Sequence, residues 1–184
     1  MKRIAVFGAS NPRLGEPSYQ SAMRLGEMLG EAGYTVMTGG YIGTMEAVSH
    51  GAAKAGAHVI GVTCVEIENF RSGGPNPWVK EEIRTEALRE RINIMINSCD
   101  AAIALPGGIG TLAEIMLMWN TLLIGAISPR PLVLIGPGWQ EMLATFYHLQ
   151  GDYIPARERG WLSFAPDVEA ATDQLAAWLS TPEP

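Results

Sequence analysis

The sequence predicts an α/β domain of Rossmann-like, doubly wound type: a mostly parallel sheet of six or seven strands with helices on both faces. Three observations predict it. Short apolar, β-branched runs alternate with longer segments of helical period. Those runs are nearly continuous in apolar residues, as strands covered on both faces require. Glycines cluster just after three of the strands, at the carboxyl ends outside which open parallel sheets bind their ligands.

The first strand, Arg3–Gly8, leads into the turn Gly8-Ala9-Ser10-Asn11. A helix is expected over Pro17–Ala32, with Pro17 suited to its first turn and Gly33 to the position past its end. The second strand, Thr35–Thr38, enters Gly39-Gly40-Tyr41-Ile42-Gly43-Thr44, and a helix follows over Gly43–Ala55. After a third strand at His58–Val62 comes a long connection from Glu66 to Trp78, containing Arg71-Ser72-Gly73-Gly74-Pro75-Asn76-Pro77. Loops of that length are more often functional or mobile than idle. A helix is then expected over Val79–Asn97, a strand at Ala101–Leu105, and a helix over Thr111–Ile124. Strand Pro131–Ile135, helix Trp139–Gln150, a weaker strand at Leu162–Ala165 and helix Asp167–Leu179 complete the pattern, with a frayed tail beyond.

The 184 residues suit one domain, 1–184, with a sizeable core. A hydrophobic share of 47% against 17% charged residues is an ordinary globular balance. The net charge of −6 argues against a nucleic-acid partner, although local amides can hold a small anion whatever the global charge. The start carries too short an apolar run for a signal peptide. The longest apolar stretch, Leu112 to Ile127, is interrupted by Glu114 and Asn120 and is too short to span a bilayer. A cytoplasmic protein without a membrane partner is expected. Cys64 and Cys99 read as buried thiols, and His50, His58 and His148 form no metal spacing. Neither metal nor cofactor is expected.

The strongest functional signal is Leu105-Pro106-Gly107-Gly108-Ile109-Gly110-Thr111, between a strand and a helix. Glycines leave amide hydrogens unobstructed, and the first helical turn adds unpaired N–H groups and a positive dipole end. Thr111 adds a hydroxyl, and the whole is suited to a phosphate. Gly108-x-Gly110-x-x-Ala113 also matches a dinucleotide fingerprint, but it follows the fourth strand and no acid is placed for a ribose hydroxyl. The lysine of a Walker loop is absent. Three positions after Thr111, Glu114 is either a capping-box acid or a carboxylate beside the phosphate, able to bind ribose or move a proton. Arg91 shares a stripe with Arg84, Leu88 and Met95 on the expected helix 79–97. It either pairs at the surface with Glu86 or Glu90, or reaches a cleft where a guanidinium holds a carboxylate or phosphate.

Residues 106–114, Pro-Gly-Gly-Ile-Gly-Thr-Leu-Ala-Glu, resemble the PGGxGTxxE motif of the lonely-guy proteins, phosphoribohydrolases that cleave cytokinin nucleoside 5′-monophosphates. Val6–Ser10 resembles that family's first glycine-serine loop, and Gly39–Ala47 its second glycine-rich turn. A second family motif, Met-His-x-Arg-Lys, falls on Leu88–Ile92, where the arginine alone is retained. The resemblance implies a catalytic pair, Arg91 and Glu114, and a 5′-phosphate held by Gly107, Gly108, Gly110 and Thr111. Gly8, Ser10 and Gly40 would line the ribose or base side. It also implies a homodimer with the site near a two-fold interface; Met116, Met118, Trp119, Leu122 and Leu123, circling much of one helix, support this. The expected reaction is release of a free base, an N6-modified adenine among the candidates, and ribose 5-phosphate from a nucleoside 5′-monophosphate. The alternative is a binding protein that carries a nucleotide or a molybdopterin cofactor, as related molybdenum-cofactor carriers do. Lysine decarboxylation, an older label for such sequences, lacks a lysine in a pyridoxal-phosphate context.

Overall fold

The computed structural model describes residues 1–70 and 73–180. Seven parallel strands form one sheet in the order β4-β3-β2-β1-β5-β6-β7. They are β1 (Arg3–Phe7), β2 (Thr35–Thr38), β3 (Val59–Cys64), β4 (Glu81–Thr85), β5 (Ala101–Ala104), β6 (Leu132–Ile135) and β7 (Leu162–Ala165). The helices are α1 (Pro17–Glu31), α2 (Thr44–Lys54), α3 (Val65–Phe70), α4 (Leu88–Asn97), α5 (Ile109–Leu123), α6 (Pro137–Gln150), α7 (Ala156–Arg159) and α8 (Val168–Ser180). The fold is α/β and Rossmann-like, and the order reverses between β1 and β5, which pair with Ile4 opposite Ala101. That reversal opens a crevice at the carboxyl ends of the two strands.

Strand alternation divides the core into two layers. Ile4 and Val6 of β1 pack with α1, α2 and α8 through Leu25, Val48 and Leu175. Ala5 and Phe7 face α4, α5 and α6 through Met95, Met118 and Leu143. Helices α1 and α2 approach backbone to backbone: a side chain on Gly26 would overlap the Val48 carbonyl, and one on Gly51 the Met23 carbonyl.

The expected helix 79–97 is corrected. Its first half is strand β4, with Ile60 opposite Glu81 and Cys64 opposite Thr85, and only Leu88–Asn97 is helical. Glu-Glu-Ile-Arg-Thr has few strand-favouring residues, but β4 lies at the sheet edge, where charged side chains serve and tertiary pairing overrides propensity. Glu82 accepts from the Thr63 hydroxyl at 2.6 Å and Arg84 pairs with Glu68 at 2.6 Å. Arg84 therefore leaves the stripe of Leu88, Arg91 and Met95. Within the expected connection 66–78, residues 65–70 form α3, Arg71 and Ser72 lie outside the described residues, and Asn76 is buried against the second glycine turn. Helices α5 and α6 each begin two residues earlier than expected, α6 with Pro137 in its first turn. No helix among the described residues is long and apolar enough to cross a membrane.

Candidate active site

Three strand-end turns surround the crevice, and two of them are built differently despite similar sequences. In the turn after β2, Gly43 has φ +80° and a side chain there would strike the Ala9 carbonyl and Ser10. The Thr44 amide and hydroxyl both donate to the Ala9 carbonyl, at 2.9 and 3.0 Å. The start of α2 is thus occupied by protein and clasps the turn after β1. In the turn after β5, neither Gly108 nor Gly110 has positive φ, and a Cβ on either would meet nothing within 4 Å. Neither conformation nor packing calls for glycine at these two positions. Glycine there leaves the backbone amides open to close approach by a ligand.

A cavity of about 400 Å³ lies here. Gly8, Ala9, Ser10 and Asn11 form one side, and Gly108, Ile109, Gly110 and Thr111 at the start of α5 another. Among the described residues, Arg91 and Glu114 are its only charged lining residues. Of the residues singled out in the sequence, the structure brings together Gly8, Ser10, Arg91, Gly108, Gly110, Thr111 and Glu114. Gly107 stands just behind, where a side chain would overlap the Thr111 hydroxyl, so its glycine lets Thr111 fold over the turn. Gly40 is not brought to the cavity: its carbonyl accepts from the Asn76 amide and side chain at 2.7 and 3.0 Å, so it is an anchor for the 73–78 segment.

Arg91 and Glu114 come from α4 and α5 and meet at 3.4 Å, Nη1 to Oε1, with both side chains buried. Neither bland alternative from the sequence describes them. Because α5 begins at Ile109, Glu114 lies in the second turn, beyond capping reach, and no side chain caps that helix. Arg91 is only 4% exposed and faces the sheet, with its Nε donating to the Val62 carbonyl at 2.7 Å. Burial pushes the Glu114 carboxyl up to about 7, against the pull of the Arg91 charge and hydrogen bond. A carboxyl poised near neutrality beside an open cavity can exist in either protonation state at working pH, which suits acid–base chemistry.

The sequence reading missed the apolar wall of Met45, Ile67, Leu88 and Ile92. Ile67 had no signal, since it fell in a stretch read as loop, whereas Leu88 was already on the arginine stripe. Among the described residues no group of three or more His, Cys, Asp or Glu gathers to hold a metal.

The model of the SLOG cluster4 family matches residues 1–147. The chain belongs to that family. Among similar proteins is a cytokinin riboside 5′-monophosphate phosphoribohydrolase of Arabidopsis thaliana, 33% identical over 191 residues, covering 95% of this chain and 81% of that one. A protein of the same name from Mycobacterium tuberculosis is 32% identical over 135 residues, covering 73% of this chain and 70% of that one. Among solved structures, the molybdenum cofactor carrier protein of Chlamydomonas reinhardtii superposes with a TM-score of 0.74 at 25% identity, covering 98% and 99% of the two chains. This SLOG cluster4 chain thus resembles named hydrolases in sequence and a named carrier in fold, and its own site chemistry bears on the choice.

Proposed function

We propose that the protein, a single domain over 1–184, is a nucleoside 5′-monophosphate phosphoribohydrolase that releases a free base and ribose 5-phosphate. The observation that carries this reading is the buried Arg91–Glu114 pair, which opens on a cavity bounded by a phosphate-type turn. Gly108, Gly110 and Thr111, with Gly107 behind them, hold the 5′-phosphate on the free amides of α5. Gly8, Ser10 and the apolar wall receive the ribose and base. An N-glycosidic bond breaks through an oxocarbenium-like transition state, which a nearby carboxylate stabilises. Glu114 supplies that charge, or takes a proton from the attacking water, and Arg91 holds it in place. The phosphate is remote from the bond that breaks, so its binding supplies positioning energy. The reaction needs no cofactor, and the named activity of the sequence relatives agrees with it.

On this reading the chain works in the cytoplasm as a homodimer. Of the apolar residues circling α5, Met118, Trp119 and Leu122 are buried in this chain's own core and give no surface to a partner, whereas the half-buried Met116 and Leu123, with the exposed Ile109 and Ile124, give a second copy an apolar one. The deciding experiment incubates the protein with purine and pyrimidine 5′-monophosphates, N6-modified AMP included, and follows free base by chromatography. Release that is lost in Glu114→Gln and lost from the matching nucleoside without phosphate supports the hydrolase. Tight nucleotide binding with no base released from any member supports the carrier reading that the Chlamydomonas structure suggests.

A further inference from the structure

The turn after β2 carries three glycines, and one of them lacks the usual backbone reason. Gly40 and Gly43 have φ +79° and +80°, whereas Gly39 does not enter the left-handed region. What Gly39 lacks is room. A Cβ there would overlap Nη2 of Arg91, lie 3.1 Å from its Cζ and come within 2.6 Å of the Met45 sulfur. The space a side chain would fill is the space in which the guanidinium lies.

The rest of the surroundings fits a slot. Arg91 crosses the carboxyl ends of β2 and β3, anchored by Nε on the Val62 carbonyl at 2.7 Å. Its Cζ stands 5.8 Å from the centre of the Tyr41 ring. The Tyr41 hydroxyl accepts from the Cys64 amide at 2.8 Å and donates to the Cys64 carbonyl at 3.1 Å, which fixes the ring. Asn76 Nδ2 donates to the Gly40 and Tyr41 carbonyls, both at 3.0 Å, and so ties down the turn itself. With Nε anchored and Nη2 over Gly39, Nη1 reaches Glu114 Oε1 at 3.4 Å.

We propose that Gly39 is a positioning residue for the reaction: its missing side chain is the slot that lays Arg91 across the strand ends and fixes it against Glu114. The catalytic consequence rests on the hydrolase reading, but the slot does not. In Gly39→Ala the arginine is pushed off its line while the phosphate turn, on α5, is untouched. Turnover should fall by about a hundredfold or more, since misplacing a positioned group by an ångström costs that much, with KM changed less than about threefold.

A double-mutant cycle in thermal stability tests the slot without any activity. Gly39→Ala should lower Tm by several degrees in the native background, roughly what one overpacked contact does in a domain of this size. It should lower Tm much less in Arg91→Ala, where only the flexible end of Met45, 2.6 Å from the added Cβ, is left to move aside. If Gly39→Ala alone fails to fold while Gly39→Ala/Arg91→Ala folds, the slot is equally supported. Equal losses in both backgrounds, or failure of both to fold, would show that Gly39 serves the backbone or the Met45 contact regardless of the arginine and would overturn the proposal. Unchanged turnover in Gly39→Ala, alongside a strong thermal coupling, would overturn its catalytic part. A protein that releases base from no nucleotide refutes the hydrolase reading, yet leaves the thermal cycle able to decide the slot.

Discussion

Replacing Glu114 by glutamine keeps the shape of the side chain and removes its capacity for charge. Glu114 is 6% exposed, and its carboxyl is pushed up to about 7 by burial, with Arg91 working against the shift. If Glu114 stabilises the sugar cation or takes a proton from water, the competent free enzyme is the deprotonated one. The sign then follows: kcat/KM should rise about tenfold per pH unit below neutrality and level off above it. Removing the group should lower turnover by about 10² to 10⁴, the range of general-base contributions, or roughly 3 to 5 kcal/mol of barrier. Initial rates of base release at low nucleotide concentration, from about pH 5 to pH 9 at constant ionic strength, measure both effects. The substrate's own phosphate loses its second proton at about pH 6, so ribose 5-phosphate binding to Glu114→Gln over the same range isolates that contribution. A rate that falls as pH rises through neutrality would make Glu114 an acid toward the departing base and refute the carboxylate role. A flat profile, or turnover in Glu114→Gln within a factor of about three of the native rate, would remove Glu114 from the chemistry altogether.

The same carboxyl predicts a stability effect. It titrates about 7 when folded against 4.5 for an ordinary glutamic acid, so its contribution is complete below pH 4.5 and lost as pH rises through 7. The loss is about 3 kcal/mol, and Glu114→Gln should remove that much of the fall in urea stability between the two ends; equal falls in both proteins would contradict it. Gly108→Ala has no clash to relieve; it should keep its Tm while ribose 5-phosphate affinity, by calorimetry, falls tenfold or more, roughly the cost of blocking one amide contact. Gly43→Ala, strained at φ +80° and driven into the Ala9 carbonyl, should instead lose roughly 2 kcal/mol or more of stability in denaturant titration. Thr111→Val should weaken phosphate binding by about fivefold with little change in Tm, the net worth of one hydroxyl hydrogen bond.

The core strands β1, β2, β3, β5 and β6 were legible because each is a continuous apolar run bounded by turn residues, the pattern that burial on both faces demands. Strand β4 was not. Glu81-Glu82-Ile83-Arg84-Thr85 is written for solvent, and its partner is the edge of β3 rather than the core, so neither periodicity nor propensity marks it. The phosphate turn was legible since its glycines, dipole end and hydroxyl are local in sequence. The pairing of Arg91 with Glu114 was suggested by resemblance alone, because it joins residues 23 positions apart on two helices. What holds Arg91 was hidden for a further reason: its anchors are the Val62 carbonyl and the vacancy at Gly39, neither of which is a side chain. Gly40 misled in the opposite direction, since a glycine after a strand reads the same whether its carbonyl faces a ligand or a buried asparagine.

The electrostatics of the site separate a hydrolase from a carrier. A buried ion pair contributes little net stability, because desolvating both charges offsets their attraction, and an apolar pair of similar volume would hold α4 against α5 at least as well. Glu114 is therefore not explained by the fold. Nor does it help to bind the phosphate: a carboxylate in a cavity that receives a phosphorylated ligand repels the anion, and its one gain for a binder, accepting from a ribose hydroxyl, an amide oxygen supplies as well. A residue that weakens ground-state binding is retained to advantage when it favours the transition state more, as positive charge develops on the sugar. The two functions thus differ for Glu114→Gln in turnover, not in affinity. In a hydrolase, nucleotide affinity stays level or improves while turnover collapses. In a carrier, the same substitution improves binding and there is no turnover to lose. Affinity for a nucleoside 5′-monophosphate measured at about pH 8, where the native carboxyl is ionised, together with base release at the same pH, reads out both quantities on one pair of proteins.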